Sequence, residues 1–303
     1  MNLKGILQHK SDRDQLFIFI LIIFISTFFG TLLSAIVVED SSFLKSDVLN
    51  PENISQLKIL QLITSIFIFI VPPFAYSYFV GGNIFRNFGF SRHINRQSVM
   101  LVLIMILFIQ PFVVYSMQWN VSIIQSLSDI YPSLIQGMEQ MEESAKEITN
   151  AFLKMDDLTD LFFNLFLIAV IPAIGEELLF RGVIQKKLQS MMTNPHLAII
   201  ITAFVFSAIH MQFFGFLPRF LLGILLGYLF YFSKNLWMSV LAHFINNAAA
   251  VLLMYSSFSN KLNTDITKIE NTEISFVLAF LSVLIVLFFI YLFQQINNKE
   301  ETI

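Results

Sequence analysis

Residues 158–182 read LTDLFFNLFLIAVIPAIGEELLFRG, and this stretch places charged groups at the end of a long apolar run. The groups are Glu176, Glu177 and Arg181. A charged side chain at the centre of a bilayer costs from about 2.5 to more than 10 kcal/mol, so intramembrane carboxylates usually face a polar interior and mark function. The stretch therefore predicts a membrane helix that carries a functional site.

The composition of the whole chain indicates a polytopic membrane protein. Of its 303 residues, 56% are hydrophobic and 13% are charged, and the mean hydropathy is +0.73. Soluble domains have roughly 45–50% apolar and 25% charged residues. The net charge of −3 gives no basic surface for nucleic acid, so we expect no such partner. The chain has no Cys, which excludes disulfides, thiolate metal sites and a Cys nucleophile.

Eight apolar runs predict eight membrane helices, because one span needs about 20 apolar residues. The fifth run is short, and the polar stretch 39–53 predicts a loop. The runs cover residues 16–38, 57–80, 99–117, 158–180, 197–211, 213–232, 236–255 and 276–293. We therefore expect an all-α polytopic membrane protein, a bundle of about eight transmembrane helices with an intramembrane catalytic site. Residues 1–303 would form a single transmembrane domain.

The longest connection, residues 120–157, combines many acidic residues with apolar residues at helical spacing. It predicts an acidic amphipathic helix on the outer face, either a solvated helix or a gate for substrate. The Lys and Arg bias of the other short loops places both termini in the cytoplasm. We expect an integral protein of a bacterial plasma membrane, in contact with membrane lipid.

Helical spacing assigns different roles to the two adjacent carboxylates. Glu177 and Arg181 are four residues apart on one helix face and are expected to form an ion pair, whereas Glu176 points about 100° away. Glu176 has no cation three or four residues further along the chain. It is therefore the carboxylate that we expect to be available for chemistry.

Two further apolar runs carry imidazole groups. His210 ends the motif Phe-Ser-Ala-Ile-His, and His243 shares a helix face with Asn247, four residues later. With a rise of 1.5 Å per residue, Glu176 and His243 lie about 15 and 13 Å below the cytoplasmic surface, and His210 about 22 Å below it. Glu176 and His243 match in depth, and a tilted helix or a cytoplasmic start later than Pro195 would account for the greater depth of His210, so we predict one site.

The predicted site has the groups that hydrolysis of an acyl bond requires. A carboxylate and a His that share a water molecule can take its proton and make it a nucleophile. A His and an Asn can donate hydrogen bonds to the oxyanion of a tetrahedral intermediate. A peptide bond is the substrate that this chemistry favours.

The motifs Glu-Glu-x-x-x-Arg, Phe-x-x-x-His and His-x-x-x-Asn follow one another on separate apolar runs. In this order they resemble the CAAX-protease and bacteriocin-processing (CPBP, or Abi) family of intramembrane endopeptidases. The resemblance covers about residues 158–255, which we expect to be the catalytic core. It implies an eight-span helical fold with a site that opens toward the cytoplasm.

The resemblance also implies a role for each residue, but it does not imply prenylated substrates, because only some members of the family cleave prenylated tails. We expect a membrane-associated peptide or lipidated protein as substrate, and CAAX-like and bacteriocin-like substrates both stay open. By this resemblance Glu176 and His210 activate the water, His243 and Asn247 form the oxyanion site, and Glu177 and Arg181 support the other groups.

Three alternatives stay open from the sequence. Glu176, His210 and His243 could hold zinc as a two-His, one-Glu set, although the resemblance favours a mechanism without a metal or other cofactor. A non-proteolytic bacteriocin immunity or scaffold protein would use the same fold without cleavage. A transporter is less favoured, because internal repeats are absent from the sequence.

Overall fold

The computed structural model of the protein describes residues 3–37, 51–155, 157–258 and 273–300. Within those ranges the chain forms helices and no strand, which confirms the predicted all-α class. The loop expected at residues 39–53 lies mostly outside the described residues. Its last residues belong to a helix that begins at Pro51.

The described chain has nine principal helices, of which α4 is amphipathic and the others are apolar, besides the five-residue helix Ile84–Phe88. They are α1 (Asp12–Val37), α2 (Pro51–Val80), α3 (Arg96–Ser126), α4 (Pro132–Leu153), α5 (Leu158–Met191), α6 (Pro195–Ala208), α7 (Phe216–Ser233), α8 (Leu236–Phe258) and α9 (Phe276–Glu300). Seven are long and apolar enough to cross a membrane. Helix α6 has 14 residues and is about 21 Å long. The predicted eight apolar helices with a short fifth member are confirmed, and the protein is an integral membrane protein.

Contacts between chain segments show which helix ends share a membrane face. The backbone N–H of Gly5 donates to the carbonyl of Tyr78 at 3.2 Å, so the N-terminal residues lie beside the end of α2. Lys187 Nζ contacts Asp12 Oδ1 at 2.7 Å, so the end of α5 lies beside the start of α1. We call this side of the molecule the terminal face.

The remaining helices run alternately from one face of the molecule to the other. The Asn235 side chain donates to the carbonyl of Arg92 at 3.2 Å, which places the α7–α8 turn beside the start of α3. The Asn297 side chain donates to Ser98 Oγ at 3.1 Å, which places the end of α9 there too. Helix α4 therefore lies on the other side, which we call the opposite face.

Helices α2 and α5 are irregular next to their prolines. The π-helical segment Ile66–Ile70 precedes Pro72 and Pro73, and the π-helical segment Leu165–Val170 precedes Pro172. Proline has no backbone N–H, so it leaves the carbonyl four residues earlier without its usual donor. The irregular turns of α5 lie immediately before the charged motif.

Two glycines of α7 bring this helix close to α6. A Cβ at Gly223 would lie 3.1 Å from the Cβ of Ala203, and a Cβ at Gly227 would lie 2.7 Å from Cγ2 of Ile199. Small residues four apart allow such close approach of membrane helices. This face of α7 is therefore used for packing inside the chain.

Helix α4 lies in the acidic connection that the sequence indicated. Its buried residues are Ile135 and Leu153, whereas Glu139, Glu143 and Glu147 are exposed. The acidic side of the helix faces outward. Its apolar side packs onto the ends of the membrane helices, where Ile135 forms a hydrophobic cluster with Ile124 and Phe214.

Candidate active site

Helices α5, α6 and α8 bring one carboxylate and two imidazoles together. Glu176 Oε2 lies 4.0 Å from Nε2 of His210 and 3.9 Å from Nε2 of His243. Glu176 is buried. The preceding residue, Gly175, allows the side chain of Phe69 to pack closely against α5, because a Cβ at this position would lie only 2.8 Å from the Cβ of Phe69. The predicted grouping of Glu176 with two imidazoles is present in the structure.

Glu177 has different partners from its neighbour. Its Oε1 accepts a hydrogen bond from Arg181 Nη1 at 2.7 Å and another from His243 Nδ1 at 3.0 Å. The side chains of Glu177 and Arg181 are both fully buried. The ion pair expected from the i, i+4 spacing therefore lies inside the bundle, and it also holds an imidazole of the site. Sequence spacing did not show this contact, because Glu177 and His243 lie on different helices.

Arg181 connects α5 to two neighbouring helices. Its Nη2 donates to the carbonyl of Gly223 in α7 at 2.8 Å. Its guanidinium also lies over the ring of Phe206 in α6, 4.8 Å from the ring centre. A buried charge needs such partners to offset its desolvation. The phenylalanine of the second motif thus packs against the arginine of the first.

The position of His210 at the end of α6 determines which ring nitrogen faces the site. Its Nδ1 lies 2.8 Å from the carbonyl of Phe206, so Nδ1 carries the hydrogen and Nε2 presents its lone pair toward Glu176. The helix ends at Ala208, and Met211 has a φ of +52°. A left-handed conformation is uncommon for a residue other than glycine, and such residues concentrate at functional sites.

Asn247 is held by the irregular part of α5. Its Nδ2 donates to the carbonyl of Ile168 at 3.1 Å. Ile168 lies four residues before Pro172, whose missing N–H leaves that carbonyl in need of a donor. An amide NH₂ group has two hydrogens, so one remains for another acceptor. The neighbouring Asn246 donates to Asn247 Oδ1 at 3.3 Å.

These groups line a cavity of about 500 Å³. Its polar lining consists chiefly of Glu176, His210, Arg219, His243, Asn246 and Asn247. Arg219, which the sequence analysis did not propose for the site, lies in the first turn of α7 and donates to Gln212 Oε1 at 2.6 Å. The signal that could have found it is the one used for Glu176, namely a charge next to an apolar run.

The cavity reaches toward the opposite face, where Met117, Thr149 and Ala250 line it. The resemblance implied a site that opens toward the cytoplasm, and the charge bias implied cytoplasmic termini. Because the termini and the cavity entrance lie on different faces, these two expectations are incompatible.

The spacing of the donors also bears on metal binding. Among the residues that the structure describes, no group of three or more His, Asp or Glu side chains is arranged to hold a metal ion. Donor atoms around tetrahedral zinc lie about 3.4 Å apart, as bond lengths of 2.0–2.1 Å require. The distances of 3.9 and 4.0 Å from Glu176 to the imidazoles are wider. They suit one water molecule with hydrogen bonds of about 2.8 Å to each group.

A protein-family model matches residues 158–249, and its description is type II CAAX prenyl endopeptidase Rce1-like. Residues 158–249 are similar to the Rce1-like proteases. The match contains all three motifs and confirms the resemblance drawn from them. Comparisons with curated proteins and with solved structures found no significant match.

Proposed function

We propose that the protein is an intramembrane endopeptidase that hydrolyses a peptide bond with a water molecule activated by Glu176 and His210. One observation carries the proposal. Glu176 faces two imidazole Nε2 atoms at 3.9 and 4.0 Å in a cavity, while its neighbour Glu177 is bound to Arg181 and His243. The similarity of this segment to proteases supports the same chemistry.

In the first step, water bound between Glu176 and His210 attacks the carbonyl carbon of the substrate. Glu176 takes one proton from the water, and Nε2 of His210 orients the water by accepting a hydrogen bond. The new C–O bond forms as the carbonyl π electrons move to oxygen. When the C–N bond breaks, the proton on Glu176 passes to the leaving nitrogen, so the carboxylate is restored.

His243 and Asn247 stabilise the oxyanion in this proposal. Asn247 donates the hydrogen that the bond to Ile168 leaves available. His243 donates from Nε2 when it is protonated, and Glu177 on Nδ1 stabilises the positive ring and fixes its orientation. Removal of one oxyanion donor typically lowers kcat by about 10²–10³-fold.

We propose a mechanism without zinc, since the donor spacing suits a bridging water. Removal of metals with o-phenanthroline should leave the cleavage rate of purified protein unchanged, and metal analysis should find less than stoichiometric zinc. A thermolysin-type zinc protease treated in parallel is the control for the chelator. Stoichiometric zinc together with loss of activity on chelation would contradict the metal-free mechanism.

The substrate class follows from the position of the site within the membrane. A peptide must enter the bundle to reach Glu176, so membrane-associated peptides are favoured, including lipidated or bacteriocin-like ones. We place the protein in a bacterial plasma membrane with both termini in the cytoplasm, because the terminal face carries more Lys and Arg.

The experiment that tests the function compares membrane and secreted peptides by mass spectrometry from cells with wild-type or Glu176→Ala protein. We expect peptide fragments that depend on Glu176, with equal amounts of folded protein in both strains. If no peptide differs, the protease function is wrong. Protection against a bacteriocin that persists in the Glu176→Ala strain would then support the immunity or scaffold role.

A further inference from the structure

The entrance of the catalytic cavity is formed by residues far from the terminal face. Met117 lies in the second half of α3, Pro218 in the first turn of α7 and Val251 in the last part of α8. Each of these helix ends lies on the opposite face, because α3 and α8 begin, and α7 ends, at the terminal face. The entrance therefore opens at the opposite face.

Helix α4 forms one wall of this entrance. Thr149 and Leu153, in its last two turns, line the cavity. The Asn164 side chain of α5 donates to the carbonyl of Phe152 at 2.7 Å and ties the end of α4 to the membrane helices. Since α4 lies wholly between α3 and α5, both its ends are on the opposite face.

Buried side chains separate the catalytic cavity from the terminal face, where a second cavity of about 260 Å³ is lined by Phe88 and Val183 but not by Glu176. Phe88, Phe180, Val183 and Leu236 are buried in one hydrophobic cluster there. Further along α5, the side chain of the buried Gln185 donates to the carbonyl of Gly227 at 3.0 Å. No residue of the described segments 81–95 and 192–194 lines the cavity. The residues that line the catalytic cavity therefore do not connect it to this side.

The distribution of basic residues orients the two faces. Ten Lys and Arg residues of the described chain lie at or next to the terminal face, and four lie toward the opposite face, namely Lys58, Lys146, Lys154 and Arg219. Three more, Lys45, Lys261 and Lys268, lie outside the described residues, and the excess remains even if all three are added to the opposite face. Cytoplasmic loops carry the excess of Lys and Arg, so the terminal face is cytoplasmic.

From these observations we infer that the cavity opens on the extracytoplasmic side and that the substrate is a peptide segment already carried across the membrane. The identity of the substrate as a peptide rests on the proposed function, whereas the direction of the opening does not. Suitable substrates are exported peptides and the outer juxtamembrane segments of membrane proteins. A translocation reaction must supply them, and a tail lipidated in the cytoplasm would arrive at the closed side.

The absence of Cys from the chain allows a direct test, because each single-cysteine variant has one thiol to label. Ser144→Cys lies on the exposed side of α4, Thr149→Cys at the cavity entrance and Ser91→Cys at the exposed terminal face. Intact cells are treated with a membrane-impermeant maleimide, and the labelling is compared with that of lysed cells. The Cys-free wild-type chain is the background control.

We expect Ser144→Cys and Thr149→Cys to be labelled as fully in intact cells as in lysed cells, and Ser91→Cys only after lysis. Labelling of Ser91→Cys in intact cells, or protection of Thr149→Cys until lysis, overturns the inference. Amounts of inserted protein are compared by immunoblot, and the second outer position keeps the test valid if one variant fails to insert.

A second arm separates the inference from the proposed function. One cleavable peptide is fused to a membrane anchor on the outer side or on the cytoplasmic side, in cells with wild-type or Glu176→Gln protein. We expect Glu176-dependent cleavage of the outer fusion alone. Cleavage of the cytoplasmic fusion alone contradicts the inference. Outward labelling without any cleavage contradicts the protease function and leaves the direction of the opening intact.

Discussion

At the scale of single residues, two adjacent carboxylates have separate roles because of the partners that each one meets. Glu177 is fully buried between Arg181 and His243, and its Oε1 binds both of these side chains. Glu176 faces the cavity and the Nε2 atoms of two imidazoles. The 100° between neighbouring helix residues is what separates the two environments.

Glu177→Gln should destabilise the protein and also lower its cleavage rate. The change leaves the buried Arg181 without its counter-charge, and breaking a buried pair in this way costs about 3–5 kcal/mol. It also replaces the charged acceptor of His243 Nδ1 with a neutral amide, which holds the imidazole more weakly. We expect a lower thermal unfolding midpoint in detergent together with a lower cleavage rate.

Asp12→Asn is the matched control for this variant. It removes the acidic partner of Lys187 in an ion pair whose side chains are 38% and 19% exposed. Exposed pairs contribute about 0–1 kcal/mol, so stability and rate should change little. Equal effects of the two substitutions would contradict the buried role of Glu177.

At the scale of the helices, the irregular turns of α5 create a binding partner for α8. Pro172 deprives the Ile168 carbonyl of its usual donor, and Asn247 supplies one. The sequence predicted that Asn247 shares a face with His243, because i, i+4 spacing is visible in one chain segment. It did not predict the partner of Asn247, since that contact joins residues 79 positions apart.

Asn247→Ala should lower both activity and stability. An unsatisfied buried carbonyl costs about 1–3 kcal/mol, and a lost oxyanion donor lowers the rate by about 10²–10³-fold. Asn246→Ala is the control, because Asn246 lines the same cavity but contacts Asn247 rather than α5. The prediction is wrong if steady-state kinetics show the same kcat for Asn247→Ala and Asn246→Ala.

Gly227→Leu should prevent the close packing of α7 on α6. Even a Cβ at this position would lie 2.7 Å from Ile199 and 3.0 Å from Gln185, so the helices would have to separate. We expect a loss of folded protein on size-exclusion chromatography. Gly137→Leu in α4 is the control, because a Cβ there meets no atom within 4 Å. Similar losses for both variants would contradict the packing role of Gly227.

At the scale of the whole molecule, the sequence predicted the number of apolar helices and the grouping of the chemistry-bearing residues. Apolar length and residue spacing are local properties, and both are visible in a single chain. The direction of the cavity is not local, because it depends on which helix ends meet around it. Depth along each helix, estimated from loop cations, placed Glu176 and His243 at similar levels but carried no information on which end of the bundle was packed and which was open.

Arg219 shows the same limit in another way. Its place at the start of α7 was visible in the sequence, but a charge at the edge of an apolar run is usually read as an interface residue. Arg219 lines the cavity because the chain reverses direction between His210 and the start of α7. The basic residues that orient a membrane protein and those that line its site thus cannot be separated by position in the sequence alone.

The most direct test of the central claim is the cleavage rate of purified, reconstituted wild-type and Glu176→Gln protein on the same peptide. The glutamine keeps the shape of the side chain but cannot take a proton from water, so we predict a fall in kcat of about 10²–10⁴-fold. The thermal unfolding midpoint should be unchanged or higher, because a neutral amide avoids the desolvation cost of a buried carboxylate. Cleavage by folded Glu176→Gln protein at the wild-type rate would contradict the account.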